Sequence, residues 1–362
     1  MAEKKLMKGN EALAEGAVRA GCRFFAGYPI TPQNEVPEYM SWRLPQVGGA
    51  FVQSESEVAA INMVFGAAAT GKRCMTSSSS PGISLKQEGI SYCAGADLPF
   101  LFANVARGGP GLGNIAGSQG DYWQSTRGGG HGDYRTFVMA PNGVSEMANL
   151  PHKCYEVAFK YRVPALILAD GIIGQMMEPI EFKNPVIDPK TLPEPSWALG
   201  VNNGRARRRI YSLDLREGYL EKMILERVKR YKQIEESEVL YEEKQLEDAE
   251  LVLVAYGTSA RVSIAAVKMA REKGLKVGLF RPITLWPYPQ KRLVELSDRI
   301  KKFLVVEMSL GQMVDDVRLS LNGRGEVYLH AKPGGSLITT EEVYSTIESI
   351  MKKGAKKYAA IK

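Results

Sequence analysis

Cysteines are few in this chain and are widely spaced. The 362 residues include four cysteines, Cys22, Cys74, Cys93 and Cys154, and no two of them form a C-x-x-C pair. A structural zinc ion or an iron–sulfur cluster needs several thiolates close together. We therefore expect this chain to hold neither group by itself, and its cysteines to be buried thiols in a reducing compartment.

Long apolar segments are also missing. No apolar run approaches the length needed to cross a bilayer, and the first residues are polar rather than those of a signal peptide. The hydrophobic content of 44% and the charged content of 24% are those of a soluble globular protein. We expect a cytoplasmic protein that does not associate with a membrane.

Motifs for nucleotides or nucleic acids are absent too. The glycines at 111 and 113 lack the third glycine and the following helix of a dinucleotide fingerprint, and no P-loop occurs. This argues against one alternative, a non-catalytic Rossmann-like nucleotide-binding module. The formal net charge is +7, with basic clusters at 205–209, 227–232 and 352–357. Such clusters are solvated faces or contacts for an anionic partner, and nothing here resembles a nucleic-acid reader.

Strand and helix patterns alternate along both halves of the chain, which indicates largely parallel sheets covered by helices. A segment rich in Pro, Asn and then charge separates the halves. We predict two α/β domains, at 1–190 and 248–362, joined by a linker at 191–247 that contains a charged helix near 219–231. The predicted strands are 23–26, 50–53, 73–77, 100–105, 136–140, 165–169, 251–255, 276–280, 303–307 and 326–330. The predicted helices are 11–20, 33–42, 55–70, 82–94, 144–160, 260–273, 290–298, 311–321 and 340–351.

A proline-rich turn follows the first of these strands. Residues 27–32 read Gly-Tyr-Pro-Ile-Thr-Pro, and each proline fixes its own φ and favours an extended residue before it. This stiff corner presents the Thr31 hydroxyl at the end of a strand, where α/β sheets bind ligands. The alternative is that Thr31 caps a helix that begins at Pro32.

The next two strand ends carry polar residues. After the second strand, Glu57 is either a carboxylate held at a strand–helix corner or the last member of a capping box that begins at Ser54. After the third strand, a serine run from 77 to 80 offers hydroxyls and backbone N–H groups to an anion or a polar ring. The alternative for that run is a plain turn.

After the fourth strand, Arg107 precedes a glycine-rich loop that extends to Tyr134. A guanidinium beside glycines at a strand end is suited to binding a carboxylate through two hydrogen bonds. A loop of this length inside a compact domain is usually functional or disordered. It contains Asp121 and His131, and His131 is a candidate acid–base group.

Taken together, these segments resemble the 2-oxoacid:ferredoxin oxidoreductases over nearly the whole chain. The corner at 28–32 looks like the Y-P-I-T-P motif of the family, Glu57 like its cofactor glutamate, and Arg107 like its substrate arginine. Residues 281–287 are similar to the second domain of the same subunit. The resemblance implies an α/β fold with a parallel-sheet domain of the thiamine diphosphate pyrimidine-binding type and a transketolase C-terminal-like α/β domain.

The resemblance also implies roles for these residues. Glu57 would hydrogen-bond the aminopyrimidine ring of thiamine diphosphate, while Thr31 and Arg107 would hold the 2-oxoacid. The residues expected to bind the cofactor are Tyr28, Pro29, Glu57, Ser78 and Ser79. Asp121 and His131 would order the loop above the site.

Some features of the family are missing from this chain, which implies partners. The Gly-Asp-Gly turn and downstream Asn of a Mg²⁺-diphosphate site do not occur, so the cofactor is expected to be shared with a partner subunit that binds Mg²⁺ and diphosphate. The other expected partners are a gamma-type subunit, a ferredoxin-like subunit that holds the iron–sulfur clusters, and ferredoxin. The basic cluster at 205–209 would contact coenzyme A phosphates or an acidic subunit, unless it is a solvated linker. An isolated chain should be inactive.

The amino-acid sequences of these motifs look most like those of the branched-chain 2-oxoacid (2-oxoisovalerate) enzymes. The resemblance thus implies coenzyme A-dependent oxidative decarboxylation of 3-methyl-2-oxobutanoate to an acyl-CoA and CO₂, with reduction of ferredoxin. 2-Oxoglutarate, pyruvate and an aryl-glyoxylate are alternative substrates. A scaffold without catalysis is an alternative of another class, and it would require Glu57 and Arg107 to be dispensable.

Overall fold

The structure, a computed structural model, describes residues 4–200 and 206–353. Position 205 of one basic cluster and positions 354–357 of another lie outside the described residues. In chain order, the helices and strands are β1 (Lys5–Lys8), α1 (Gly9–Arg19), β2 (Phe24–Gly27), α2 (Glu35–Gln46), β3 (Ala50–Gln53), α3 (Glu57–Ala69), β4 (Cys74–Ser78), α4 (Ser80–Gly95), β5 (Leu101–Ala106), α5 (Tyr122–Arg127), β6 (Phe137–Met139), α6 (Val144–Tyr161), β7 (Ala165–Asp170), α7 (Gly171–Gln175), β8 (Met177–Ile180), α8 (Tyr219–Ser237), β9 (Tyr241–Lys244), β10 (Leu251–Val254), α9 (Gly257–Glu272), β11 (Val277–Pro282), β12 (Thr284–Trp286), α10 (Gln290–Arg299), β13 (Lys302–Glu307), α11 (Met313–Leu321), β14 (Glu326–Ala331) and α12 (Thr340–Lys353).

The first half of the chain builds a seven-stranded sheet in the order β12-β6-β7-β5-β4-β2-β3. Its six strands from the first half pair in parallel. The central strands β5 and β7 are buried at every position and carry continuous apolar runs, as expected when helices cover both faces of a parallel sheet. The predicted parallel-sheet domain is therefore confirmed.

The second half builds a five-stranded sheet in the order β14-β13-β10-β11-β9. Its strands pair in parallel except at β9, which runs antiparallel to β11. Alternate residues of β10 face different apolar clusters. Val252 and Val254 pack in the large cluster that also holds the first domain, whereas Leu251 and Leu253 pack against the outer helices.

One strand of the second half joins the first sheet. β12 pairs antiparallel with β6, and Thr284 lies opposite Met139. The end of the linker holds β12 in this position. The N–H groups of Ile283 and Thr284 both donate to the carbonyl of Leu240 at 3.0 Å. The proposed domain limits at 190 and 247 stay predictions, and the two sheets share this crossing segment.

Polar side chains also join the two domains. The Gln119 amide donates to the carbonyl of Tyr256 at 2.8 Å, and it accepts from the Ser259 hydroxyl at 2.7 Å and from the Met308 N–H at 2.9 Å. Asp170, at the end of β7, accepts from the Thr258 hydroxyl at 2.7 Å. The loop that follows Arg107 is therefore fixed in position by the second domain.

All four cysteines are buried as free thiols. Burial raises the pKa of each thiol, so each is held in its neutral form. Within residues 4–200 and 206–353, no helix combines the length and apolar character that a bilayer crossing requires.

Candidate functional site

The candidate site lies where four neighbouring parallel strands end. β5, β4, β2 and β3 lie side by side in the first sheet, so their carboxyl ends meet at one edge. Arg107 follows β5, Ser79 follows β4, Thr31 follows β2 and Glu57 follows β3 by a few residues. The fold thus brings to one edge the residues that the sequence singled out.

Thr31 and Arg107 are in direct contact although 76 positions separate them. The Arg107 guanidinium donates from Nη1 to the Thr31 carbonyl at 2.9 Å and from Nη2 to the Leu112 carbonyl at 3.1 Å. The alternative reading of Thr31 as a helix cap is wrong, because α2 begins at Glu35 and its cap position is Asn34. The exposed Thr31 hydroxyl is left available at the corner.

Glu57 is not part of a capping box. The cap of α3 is Ser56, whose hydroxyl accepts from the Ala59 N–H at 3.2 Å. Ser54 instead donates to the carbonyls of Gly27 and Ser56. Glu57 is the first residue of the helix and is only 6% exposed. Within the described residues its carboxylate accepts no hydrogen bond and forms no ion pair.

Gly82 lets the Glu57 carboxylate approach the start of α4. A Cβ atom at position 82 would lie 2.1 Å from the Ser78 Oγ and 2.5 Å from the Glu57 Oε1. Both atoms therefore occupy the space that a larger residue would need. The carboxylate and the Ser78 hydroxyl thus both lie beside Gly82, without a hydrogen bond between them.

Several polar atoms around this contact are buried without a partner. In the part of the chain that the structure describes, the unpartnered atoms include Thr76 Oγ1, Ser78 Oγ, Ser79 Oγ and Arg107 Nε. Buried polar groups are nearly always hydrogen-bonded in folded proteins. Together with the unpaired Glu57 carboxylate, these atoms leave hydrogen-bonding capacity for a polar ligand at the strand ends.

Asn104 connects the remaining parts of the site, and sequence reasoning missed it. Its amide donates to Asp121 at 2.7 Å and accepts from the Ser80 N–H at 3.1 Å. The Ser80 hydroxyl in turn accepts from the Arg107 N–H at 3.0 Å. Burial raises the pKa of Asp121, although the Ser80 and Asn104 hydrogen bonds oppose that shift. Asn104 is a polar residue inside an apolar strand, which was the available signal.

The structure places the other predicted residues less centrally. Tyr28 and Pro29 are exposed on the corner, and the Tyr28 carbonyl accepts from the Gln33 amide at 3.4 Å. His131 is exposed, and its backbone carbonyl accepts from the Ser91 hydroxyl at 3.0 Å. Its proposed role in the loop therefore stays a prediction without structural support.

Lys86 is a second residue that sequence reasoning missed. It is fully buried on α4, and its Nζ donates to the Ser77 carbonyl at 3.0 Å. Ser77 also donates to Gln33 at 2.5 Å, which connects β4 to the corner at 28–32. Among the described residues, no group of three or more His, Cys, Asp or Glu side chains is placed to hold a metal ion.

Gly82→Ala is expected to destabilise the chain and disturb the site. The new methyl group overlaps Ser78 and Glu57, and overpacking of this kind costs about 1–3 kcal/mol. Gly66→Ala is the matched control, because a Cβ there meets no heavy atom within 4 Å and alanine favours the helix. Denaturant unfolding measures both variants, and equal stabilities would contradict the close contact at Gly82.

The chain matches two models of one protein family along most of its length. Residues 15–207 match the model described as pyruvate flavodoxin/ferredoxin oxidoreductase, thiamine diphosphate-binding, and residues 249–343 match pyruvate:ferredoxin oxidoreductase core domain II. The chain belongs to this family of 2-oxoacid:ferredoxin oxidoreductases. Its first domain is therefore of the thiamine diphosphate-binding type, and its second is the expected transketolase-like domain.

Relatives within the family differ in substrate. Ketoisovalerate oxidoreductase subunit VorB of Methanothermobacter thermautotrophicus is 48% identical over 96% of this chain and 97% of its own length. 2-Oxoglutarate synthase subunit KorA of the same organism is 37% identical over 96% of this chain and 99% of its own length. The 2-oxoglutarate:ferredoxin oxidoreductase of Magnetococcus marinus, solved with 2-oxoglutarate, coenzyme A and succinyl-CoA, is 25% identical with a TM-score of 0.83. That comparison covers 96% of this chain but 65% of the other chain.

Proposed function

We propose that this chain is the thiamine pyrimidine-binding subunit of an oxidoreductase that acts on 3-methyl-2-oxobutanoate. The enzyme would convert this 2-oxoacid and coenzyme A to an acyl-CoA and CO₂ and pass electrons to ferredoxin. The observation that carries the proposal is the 48% identity, over nearly the full length, to ketoisovalerate oxidoreductase subunits. The convergence of Glu57, Thr31 and Arg107 at one sheet edge supports it.

The residues at the sheet edge fit thiamine diphosphate. When bound, this cofactor supplies the nucleophilic carbon for the 2-oxo group and accepts the charge left by decarboxylation. Glu57 would hydrogen-bond N1′ of the aminopyrimidine and hold a proton there. The unpartnered hydroxyls of Ser78 and Ser79 lie at the start of α4, where they would line the ring pocket. Tyr28 and Pro29 would complete that pocket from the corner.

Arg107 would bind the carboxylate of the substrate. Arg107 is 9% exposed, and its guanidinium already donates to two carbonyls, which fix its plane. Its Nε remains without a partner, and each terminal nitrogen has a second N–H. Thr31, whose backbone carbonyl accepts from Arg107, would bind the substrate carboxylate or its oxo oxygen through its hydroxyl. Asp121 would order the loop through Asn104.

The remaining functions would come from partner subunits. One partner would bind Mg²⁺ and the diphosphate, a ferredoxin-like partner would hold the iron–sulfur clusters, and a gamma-type subunit would complete the complex. The relatives are each named as a subunit, which supports an assembly of several chains. Exposed apolar side chains on α3 and α4 beside the site, among them Val58, Met63 and Leu85, offer a surface for such a partner.

A second candidate substrate is 2-oxoglutarate. The 37% identity over nearly the full length to 2-oxoglutarate synthase subunits favours it over other 2-oxoacids. A dicarboxylate needs a second cationic group besides Arg107, which a partner subunit would have to contribute.

An activity panel on the purified complex distinguishes these substrates. The complex is isolated with its partners and assayed with coenzyme A, a viologen dye and four acids: 3-methyl-2-oxobutanoate, 2-oxoglutarate, pyruvate and phenylglyoxylate. We expect the highest kcat/KM for 3-methyl-2-oxobutanoate and no turnover by the single chain. A preference for 2-oxoglutarate would overturn the substrate, and reduction without coenzyme A or any 2-oxoacid would overturn the reaction.

A further inference from the structure

Lys86 faces the helix that carries Glu57. Gly82, Lys86 and Gly89 follow one another at i, i+4 and i+7, so they share one face of α4. Gly82 contacts Glu57, and a Cβ at Gly89 would lie 2.4 Å from the Cγ2 of Ile61. Glu57 and Ile61 are themselves one turn apart on α3. Lys86 therefore lies between two close contacts, opposite the turn that begins with Glu57.

The amino group of Lys86 is buried with few hydrogen-bond partners. The side chain is 0% exposed, and within the described residues its Nζ makes one hydrogen bond, to the Ser77 carbonyl. An ammonium group has three N–H donors, and burying it without partners is costly. Burial lowers the pKa of Lys86 to about 7, while the neighbouring Glu57 carboxylate opposes that shift.

Other ionisable groups near Lys86 are already engaged or face away. Arg107 and Asp121, beyond the end of β5, are bound to backbone carbonyls and to Asn104 respectively. Glu88, on the same helix, is exposed and accepts from Tyr92. Glu57 is the charged side chain at the facing turn of α3. Lys86 and Glu57 therefore lie on facing turns of α4 and α3, although they form no ion pair in this structure.

We propose that Lys86 is a positioning residue that acts through Glu57, because its buried amino group lies on the face of α4 that packs against the Glu57 turn of α3 and so pairs with Glu57 across this interface. A positive charge on Lys86 attracts the Glu57 carboxylate across this buried interface. The catalytic consequence rests on the proposed function, whereas the pairing itself does not.

Stability measured against pH tests the pairing without cofactor or partners. An unfolded lysine has a pKa of 10.5, so between pH 7 and 10.5 the unfolded chain binds one more proton than the folded chain at this site. The unfolding equilibrium constant should therefore fall by up to about tenfold per pH unit across this range because of Lys86. Lys86→Met and Lys86→Gln should lose that dependence, and Lys86→Met should be more stable than wild type at pH 7.

The control is Lys268→Met, because Lys268 is an exposed lysine on α9. It should keep the wild-type dependence on pH. Combining Lys86→Met with Glu57→Gln should give a change in stability that differs from the sum of the single changes. Equal pH slopes in wild type and Lys86→Met, or additive single changes, would overturn the pairing.

The assembled enzyme tests the consequence for catalysis. If Lys86 acts through Glu57, the shape of the kcat/KM profile against pH should change in Lys86→Met. A lysine with only a structural role would lower kcat/KM by the same factor at every pH, which would overturn the positioning role. If the complex shows no 2-oxoacid activity at all, the proposed function fails, while the stability measurement still decides the pairing.

Discussion

Glu57→Gln is expected to lower the turnover of the assembled enzyme by about a hundred- to ten-thousand-fold, the range typical of a positioned proton transfer. Glutamine keeps the size of the side chain but cannot give up or take a proton at its amide. The environment also favours a functional role, since the Glu57 carboxylate is buried beside Gly82 without a hydrogen bond within the described residues. Steady-state kinetics of the complex measure the effect.

Glu55→Gln is the matched control, because Glu55 is exposed two positions earlier. It should leave turnover within a factor of two or so of the wild type, as expected for a surface change. Gel filtration should show that both variants assemble with their partners. Wild-type turnover in an assembled Glu57→Gln complex would refute the proposed role.

Arg107→Ala is expected to raise the KM for the 2-oxoacid by roughly ten- to a hundred-fold. A charge-assisted hydrogen bond to a desolvated carboxylate contributes roughly 1.5–3 kcal/mol, and each 1.4 kcal/mol is about tenfold in affinity. The affinity for thiamine diphosphate should change much less, because Glu57 and the serine run would hold the ring. Substrate kinetics and cofactor titration of the same complex separate the two effects.

Two further variants make the result for Arg107 interpretable. Arg107→Lys keeps the positive charge but loses the planar guanidinium that can form two parallel hydrogen bonds. It should therefore recover only part of the affinity for the 2-oxoacid that Arg107→Ala loses. Arg324→Ala removes an exposed arginine after α11 and should leave KM unchanged. Equal losses of 2-oxoacid and cofactor affinity in Arg107→Ala would argue against a carboxylate site.

The sequence allowed most of the sheet framework to be predicted, because its strands and helices carry strong periodic patterns. β5 and β7 are continuous apolar runs, and α6 presents one apolar face with polar residues opposite. Short pieces were missed. β12 has three residues and pairs with β6 only because the linker brings it there, which no local pattern encodes.

The candidate site could be predicted in part for the same reason. Arg107 follows β5 directly and Thr31 lies a few residues after β2, and parallel strands bring their ends to one edge. Asn104 and Lys86 were missed because their importance depends on contacts between distant elements. A lysine in a mixed helix such as α4 is usually exposed, and only packing against α3 reveals that Lys86 is buried.

The position of the cofactor in the assembled complex tests the account most directly. A structure of the complex with thiamine diphosphate should place a Glu57 carboxylate oxygen within about 2.6–3.2 Å of N1′ of the aminopyrimidine, a hydrogen-bonding distance. The diphosphate end should lie in a different polypeptide. A cofactor bound wholly outside this chain, or a ring that does not contact Glu57, would contradict the account.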